Sequence, residues 1–305
     1  MDRTEALARL PDRICFLGLG LIGGSIALAL RAAGSTARLV AWTPTLAGPE
    51  EALRAGAIDE VATVPEIAIA DAGLVILAGP PLEVRSMLAG ANDGPWSALA
   101  GGAVVTDVAS TKAQIVAAAA TAQVPFVGGH PMAGRETSGF TAATPDLFVG
   151  RPWVVVDAGL APDDARAVVE ALAVAVGAQP LRMTADAHDA AVAAISHLPL
   201  VAAAALVEAV TGDPSGWATA GPLAASGWRD TTRLARGDVD MGAGILATNR
   251  EAVADRLRAY RTALDGWIEA LDGGADVRAD DAALRERLQA ARRAVEGRPD
   301  GEPEA

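Results

Sequence analysis

Residues 13–25 constrain the chain most. Arg13-Ile14-Cys15-Phe16-Leu17 reads as a buried strand and runs directly into Gly18-Leu19-Gly20-Leu21-Ile22-Gly23-Gly24-Ser25, after which residues 24–33 read as a helix. A G-x-G-x-x-G turn between a strand and a helix is the fingerprint of a dinucleotide-binding βαβ unit. Gly18 permits the tight turn. Gly20 lets the backbone come close to a pyrophosphate, with Leu21 and Ile22 beside it in the cofactor loop, and Gly23 lets helix and strand pack closely. Unpaired N–H groups at the helix N-terminus then face the phosphates. The bland alternative is a glycine-rich turn that holds no ligand.

Residues 37–42, 73–77, 103–106, 125–127, 153–157 and 178–183 read as further strands, with helices at 50–55, at 112–120 and from Pro162 onward. This alternation implies an α/β fold: a Rossmann-type, doubly wound, mainly parallel sheet covered on both faces. No strand pattern follows Met183. Residues 187–210 read as one long Ala-rich helix containing Pro199, and residues 245–271 carry apolar side chains at helical spacing. Residues 282–295 form a further, Arg-bearing helix. The expected organisation is a dinucleotide-binding domain over 1–184, an all-helical substrate-binding and dimerisation domain over 185–296, and a disordered tail over 297–305. An apolar helical domain suits a homodimer interface.

The formal net charge is -13, which argues against nucleic acid as a partner, because no basic face is visible. A single cysteine, Cys15, excludes an internal disulfide and a Cys-rich metal site, and no metal is expected. The apolar runs are broken by Gly, Pro or charge, so no membrane span is expected. The first 13 residues carry acidic side chains and no apolar core of a leader. These features point to the cytoplasm.

The strand at 37–42 should end in a carboxylate if the cofactor is NAD+, to bond the ribose hydroxyl. It runs instead into Thr43-Pro44-Thr45, whose hydroxyls would not repel a 2′-phosphate. NAD(P)+ is the expected cofactor, with a lean toward NADP+. Of the 25 basic residues only Lys112 is a lysine, which directs attention to Asp107-Val108-Ala109-Ser110-Thr111-Lys112, directly after a strand. Two other polar segments stand out: residues 128–139, around His130, and residues 227–233, between helices.

GLGLIGGS, DVASTK, GGHPMAGRETSGF, Ile195-Ser196-His197-Leu198-Pro199 and GWRDTTRLA occur in the order and approximate spacing of the prephenate/arogenate dehydrogenases of tyrosine biosynthesis. The chain resembles that family over about residues 13–270. The resemblance implies a cyclohexadienol substrate bearing a ring carboxylate, prephenate or arogenate, with prephenate preferred. Hydride leaves the carbinol carbon, the hydroxyl loses its proton, carbon dioxide departs and the ring becomes aromatic.

By the same resemblance, His130 is the proton acceptor, which its near-neutral pKa permits. Ser110 hydrogen-bonds that histidine and the substrate hydroxyl; a helix N-cap is its alternative. Arg233 holds a substrate carboxylate through two parallel hydrogen bonds, positioned by Asp230. Glu136, Ser196 and His197 face the substrate, while Thr43 and Lys112 sit on the cofactor side. His188 reads as a surface helix residue. Two departures weaken the substrate assignment: Leu200 stands where the family often has a second histidine, and Gly242 where it often has Trp.

Two other readings compete. A β-hydroxyacid or 6-phosphogluconate-type dehydrogenase would need a catalytic lysine in the second half, and no lysine lies beyond 112. A non-catalytic NAD(P)-binding regulator would have lost His130 or Arg233.

Overall fold

The structure is a computed structural model that describes residues 1–90, 95–135, 137–162, 164–272 and 277–297, with side chains in the last segment described from residue 282. In chain order, α1 (Arg3–Arg9) precedes β1 (Arg13–Leu17), α2 (Leu21–Ala32), β2 (Arg38–Trp42), α3 (Ala47–Arg54), β3 (Glu60–Val61), α4 (Pro65–Ile69) and β4 (Leu74–Leu77). Then come α5 (Pro81–Ala89), β5 (Val104–Asp107), α6 (Ala113–Thr121), β6 (Phe126–Pro131), β7 (Pro152–Val156), α7 (Ala165–Ala175) and β8 (Gln179–Arg182). Among the described residues only helices follow: α8 (Ala185–Val192), a π-helical stretch (Ala193–His197), α9 (Leu198–Thr211), α10 (Pro214–Ala220), α11 (Ser226–Thr231), α12 (Val239–Thr248), α13 (Arg250–Asp272) and α14 (Val277–Glu296).

The eight strands form one sheet in the order β3-β2-β1-β4-β5-β6-β7-β8. Pairing is parallel through β6; β7 then runs antiparallel to β6, and β8 parallel to β7. The central strands are buried on both faces, which explains their continuous apolar sequences. Along β1 the pleat divides the side chains: Ile14 and Phe16 pack under α2 and α7, and Cys15 and Leu17 pack under α5 and α6. Cys15 is a core residue whose thiol burial holds protonated. The chain crosses the sheet between β1 and β4, and in such sheets ligands sit beyond the carboxyl ends of the strands at this switch point.

Several elements differ from expectation. The two-residue strand β3 and the helices α4 and α5 carry too short a pattern to stand out in sequence. The sense of β7 is not encoded in its apolar run. The long Ala-rich helix is not continuous, because the π-helical stretch interrupts it just before Pro199, which lies in the first turn of α9. A proline ring and its missing N–H exclude ordinary helical bonding one turn earlier, and a π-turn accommodates both. The helix expected over 245–271 breaks at Asn249.

Architecture changes between Arg182 and Ala185, whereas compactness divides the chain into units of 1–253 and 254–305. Within the second unit, Arg287 stacks 4.6 Å from the Trp267 ring centroid. From residue 298 the expected tail lies outside the described residues. Residues 185–211 are long and apolar enough, by length and composition, to cross a membrane, against expectation. In this structure their buried face carries His188, Asp189 and His197, and Asp189 is hydrogen-bonded into the sheet domain.

Candidate active site

The glycine turn follows β1 as its sequence requires. Gly18 has φ +104°, and a Cβ there would lie 2.6 Å from the Ala78 carbonyl after β4. Its N–H donates to Trp42 O at 2.9 Å, tying the ends of β1 and β2 together. A Cβ on Gly23 would meet Gly18 O at 2.7 Å, so helix and turn are in contact. Gly20 is the N-cap of the 12-residue α2, and nothing lies within 4 Å of its Cβ position. Leu21 and Ile22 open the helix. Beyond β2, the buried Thr43 Oγ1 has no hydrogen-bond partner among the described residues. Open space before a helix N-terminus, with an unused hydroxyl beside it, fits a dinucleotide.

A second group gathers at the ends of β5 and β6. His130 lies within β6, opposite Val154 of β7, and not in a loop after the strand. Asp107 ends β5 and Lys112 precedes α6; both are 0% exposed, and the Lys112 ammonium is ion-paired with the Asp107 carboxylate. That carboxylate also accepts from Ala109 N and Gly129 N, each at 3.0 Å. Burial pushes Asp107 upward and Lys112 downward despite their mutual attraction. The charge of Lys112 is thus engaged by Asp107.

The helical segment completes the group. His188, expected at the surface, is 1% exposed. His130 Nδ1 lies 2.8 Å from His188 Nε2, and His188 Nδ1 lies 2.8 Å from Asp189 Oδ1. Asp189 accepts in addition from Lys112 N and Ala113 N, each at 2.8 Å, and so caps α6 from another element. Ser110 therefore does not serve as that cap. Its Oγ is buried with no partner among the described residues, so the expected bond to His130 is absent too, and the hydroxyl is available to a substrate. His197 is 1% exposed and accepts from Asn249 Nδ2 at 3.2 Å. Thr111 and Thr248 hydroxyls meet at 2.8 Å.

Burial, with the neighbouring His188, Lys112 and His197, holds His130 well below the usual imidazole range. Burial, with His188 nearby, brings His197 down to about 4, opposed by Asp189. Both rings are neutral at neutral pH.

The remaining candidates lie elsewhere on the helices. Ser196 is exposed in the π-helical stretch, Asp230 is exposed in α11, and Arg233 is exposed on the 3-10 turn Arg233–Arg236, which packs on α9. Glu136 falls outside the described residues. Leu200 lies 3.7 Å from the Cβ position of Gly242, so the two departures from the family pattern are neighbours.

The sequence family described as "Prephenate dehydrogenase, nucleotide-binding domain" matches residues 26–181, and "Prephenate dehydrogenase, dimerization domain" matches residues 184–289. A prephenate dehydrogenase of Bacillus subtilis (strain 168) is 32% identical over 267 residues, which are 87% of this chain and 69% of that one. The crystal structure of Synechocystis arogenate dehydrogenase is 30% identical with a TM-score of 0.76, covering 93% of this chain and 99% of that one. A prephenate dehydrogenase from A. aeolicus, solved with hydroxyphenyl propionate and NAD+, is 26% identical with a TM-score of 0.84, covering 94% and 98%.

Proposed function

The chain belongs to the prephenate dehydrogenase family, and from that premise we propose that it converts prephenate to 4-hydroxyphenylpyruvate and carbon dioxide. The observation that carries this reading is His130: a neutral imidazole tied through its Nδ1 to His188, while its own Nε2 makes no hydrogen bond among the described residues. Such a ring can accept the proton of a substrate hydroxyl.

A nicotinamide dinucleotide, bound through the Gly18–Gly23 turn and Thr43, supplies a two-electron acceptor for the hydride of the carbinol carbon. His130 Nε2 takes the hydroxyl proton as the carbonyl forms. The bond to the ring carboxyl group then breaks, its electron pair flows into the ring, and the new phenolic oxygen recovers the proton from His130. No net proton is released. Ser110 Oγ, in the segment after β5 and without a partner among the described residues, offers the substrate hydroxyl a hydrogen bond. Arg233, with Asp230 near it in the chain, binds a substrate carboxylate through its planar fork. Glu136, Ser196 and His197 belong to the substrate side of the site.

The lean to NADP+ rests on the carboxylate-free end of β2. The reading includes a homodimer: residues 185–211 have a mean hydropathy of 2.1 in a window of which only 22% is buried, leaving apolar surface for a second copy. A cytoplasmic location belongs to the same reading.

The test is steady-state reduction of NAD+ and NADP+ by the purified protein with prephenate, alongside carbon dioxide release. Prephenate-dependent reduction with stoichiometric decarboxylation is expected. Turnover of arogenate alone would move the substrate to the other reading, which the likeness to the Synechocystis enzyme favours. Reduction with neither would remove the assignment.

A further inference from the structure

We propose that His188 and Asp189 are positioning residues that fix the tautomer of His130, leaving its Nε2 as the proton-accepting atom. This rests on the reading of His130 as the base. An ionised carboxylate only accepts. Asp189 is held in that role by two backbone donors, Lys112 N on Oδ1 and Ala113 N on Oδ2, each at 2.8 Å. Those N–H groups open α6, a nine-residue helix whose N-terminal dipole favours the negative charge.

His188 Nδ1 lies 2.8 Å from Asp189 Oδ1 and must therefore carry the proton it donates. In the neutral ring, Nε2 of His188 is then a bare lone pair and can only accept. His130 Nδ1 lies 2.8 Å from that atom, with the two rings nearly perpendicular at 80°. His130 must therefore donate from Nδ1, which leaves Nε2 unprotonated. The alternative tautomer would set two lone pairs against each other at 2.8 Å.

When Nε2 takes a proton, the imidazolium keeps Nδ1–H directed at His188, and the Asp189 carboxylate stands two links away as compensating charge. The other titratable groups facing His130 are Lys112, ion-paired to Asp107, and His197, which accepts from Asn249. None of them bonds to a ring nitrogen of His130.

Two substitutions separate positioning from plain packing. His188→Gln retains the polarity of the link, because its amide can donate to Asp189 and accept from His130. His188→Met removes it at similar volume.

The chain has three histidines, so nitrogen-15 NMR of histidine-labelled full-length protein resolves each ring's tautomer without any turnover. The wild type is expected to show Nδ1–H on both His130 and His188, and His188→Gln to keep His130 in that form. His188→Met is expected to lose it, with kcat falling at least about a hundredfold, the scale set by a misoriented catalytic imidazole. KM for both substrates should move by less than about threefold, because the site that binds them is intact. His188→Gln should retain kcat within about tenfold.

Nε2–H on His130 in the wild type overturns the proposal, whatever the substrate proves to be. So does a His188→Met enzyme with wild-type kcat and an unchanged pH profile. Should no substrate be turned over, the NMR result still decides for or against the tautomer, while the functional reading fails separately.

Discussion

Lys112→Met strips the ammonium from a carboxylate that has no access to water. Asp107 and Lys112 are both 0% exposed, and after the substitution Asp107 retains only the N–H groups of Ala109 and Gly129. Breaking a buried pair by removing one partner costs about 3–5 kcal/mol, because the remaining charge is uncompensated. At roughly 2–4 °C per kcal/mol for a domain of this order, the melting midpoint should fall by on the order of 10 °C. Asp107 can relieve the penalty by taking up a proton. Its folded pKa, already pushed up by burial, rises further, so the folded state binds more protons than the unfolded state above the ordinary Asp range. Stability of the variant then decreases as pH rises, and the deficit against wild type narrows in acid. Scanning calorimetry of both proteins across roughly pH 5–8 reads both effects. A midpoint within about 2 °C of wild type at neutral pH would refute the account of the pair as a charge balance the fold depends on.

Gly18→Ala must place a methyl 2.6 Å from the Ala78 carbonyl at a φ of +104°; dinucleotide affinity by fluorescence titration should fall at least about tenfold, and unchanged affinity would separate the turn from the cofactor. His197 binds fewer protons folded than unfolded between its ordinary 6.5 and about 4. Stability should therefore drop as pH falls through that window, by about 3 kcal/mol for this group, with His130 adding in the same direction. Urea unfolding at pH 7 and below reads this, and His197→Gln should flatten the slope.

The turn, the α/β alternation and the absence of an acid after β2 were legible in sequence because each is local. A glycine fingerprint, a continuous apolar strand and a missing carboxylate need no knowledge of what lies across the sheet. The partner of His130 was not legible. His188 and Asp189 sit in an alanine-rich run with little amphipathic contrast, so the sequence does not announce which face is covered. The four-residue spacing of His188 to Val192, and of Asp189 to Ala193 and His197, marks the buried stripe, but only when polar residues are allowed on it. Likewise, a helix cap was the alternative role for Ser110, because hydroxyls before helices usually are caps. Here the cap comes from Asp189, 76 residues after the first-turn Ala113, a pairing that local pattern cannot reveal. The reversal at β7 was hidden for the same reason: an apolar run fixes burial, not direction.

The most direct measurement is the pH dependence of kcat for wild type and His130→Ala with prephenate and a saturating nicotinamide cofactor. The account predicts a wild-type plateau across neutral pH, an acid limb well below the ordinary imidazole pKa of 6.5, and a plateau at least about a hundredfold lower in the variant, without that limb. Wild-type turnover in His130→Ala, or an acid limb that survives the loss of the ring, would contradict it.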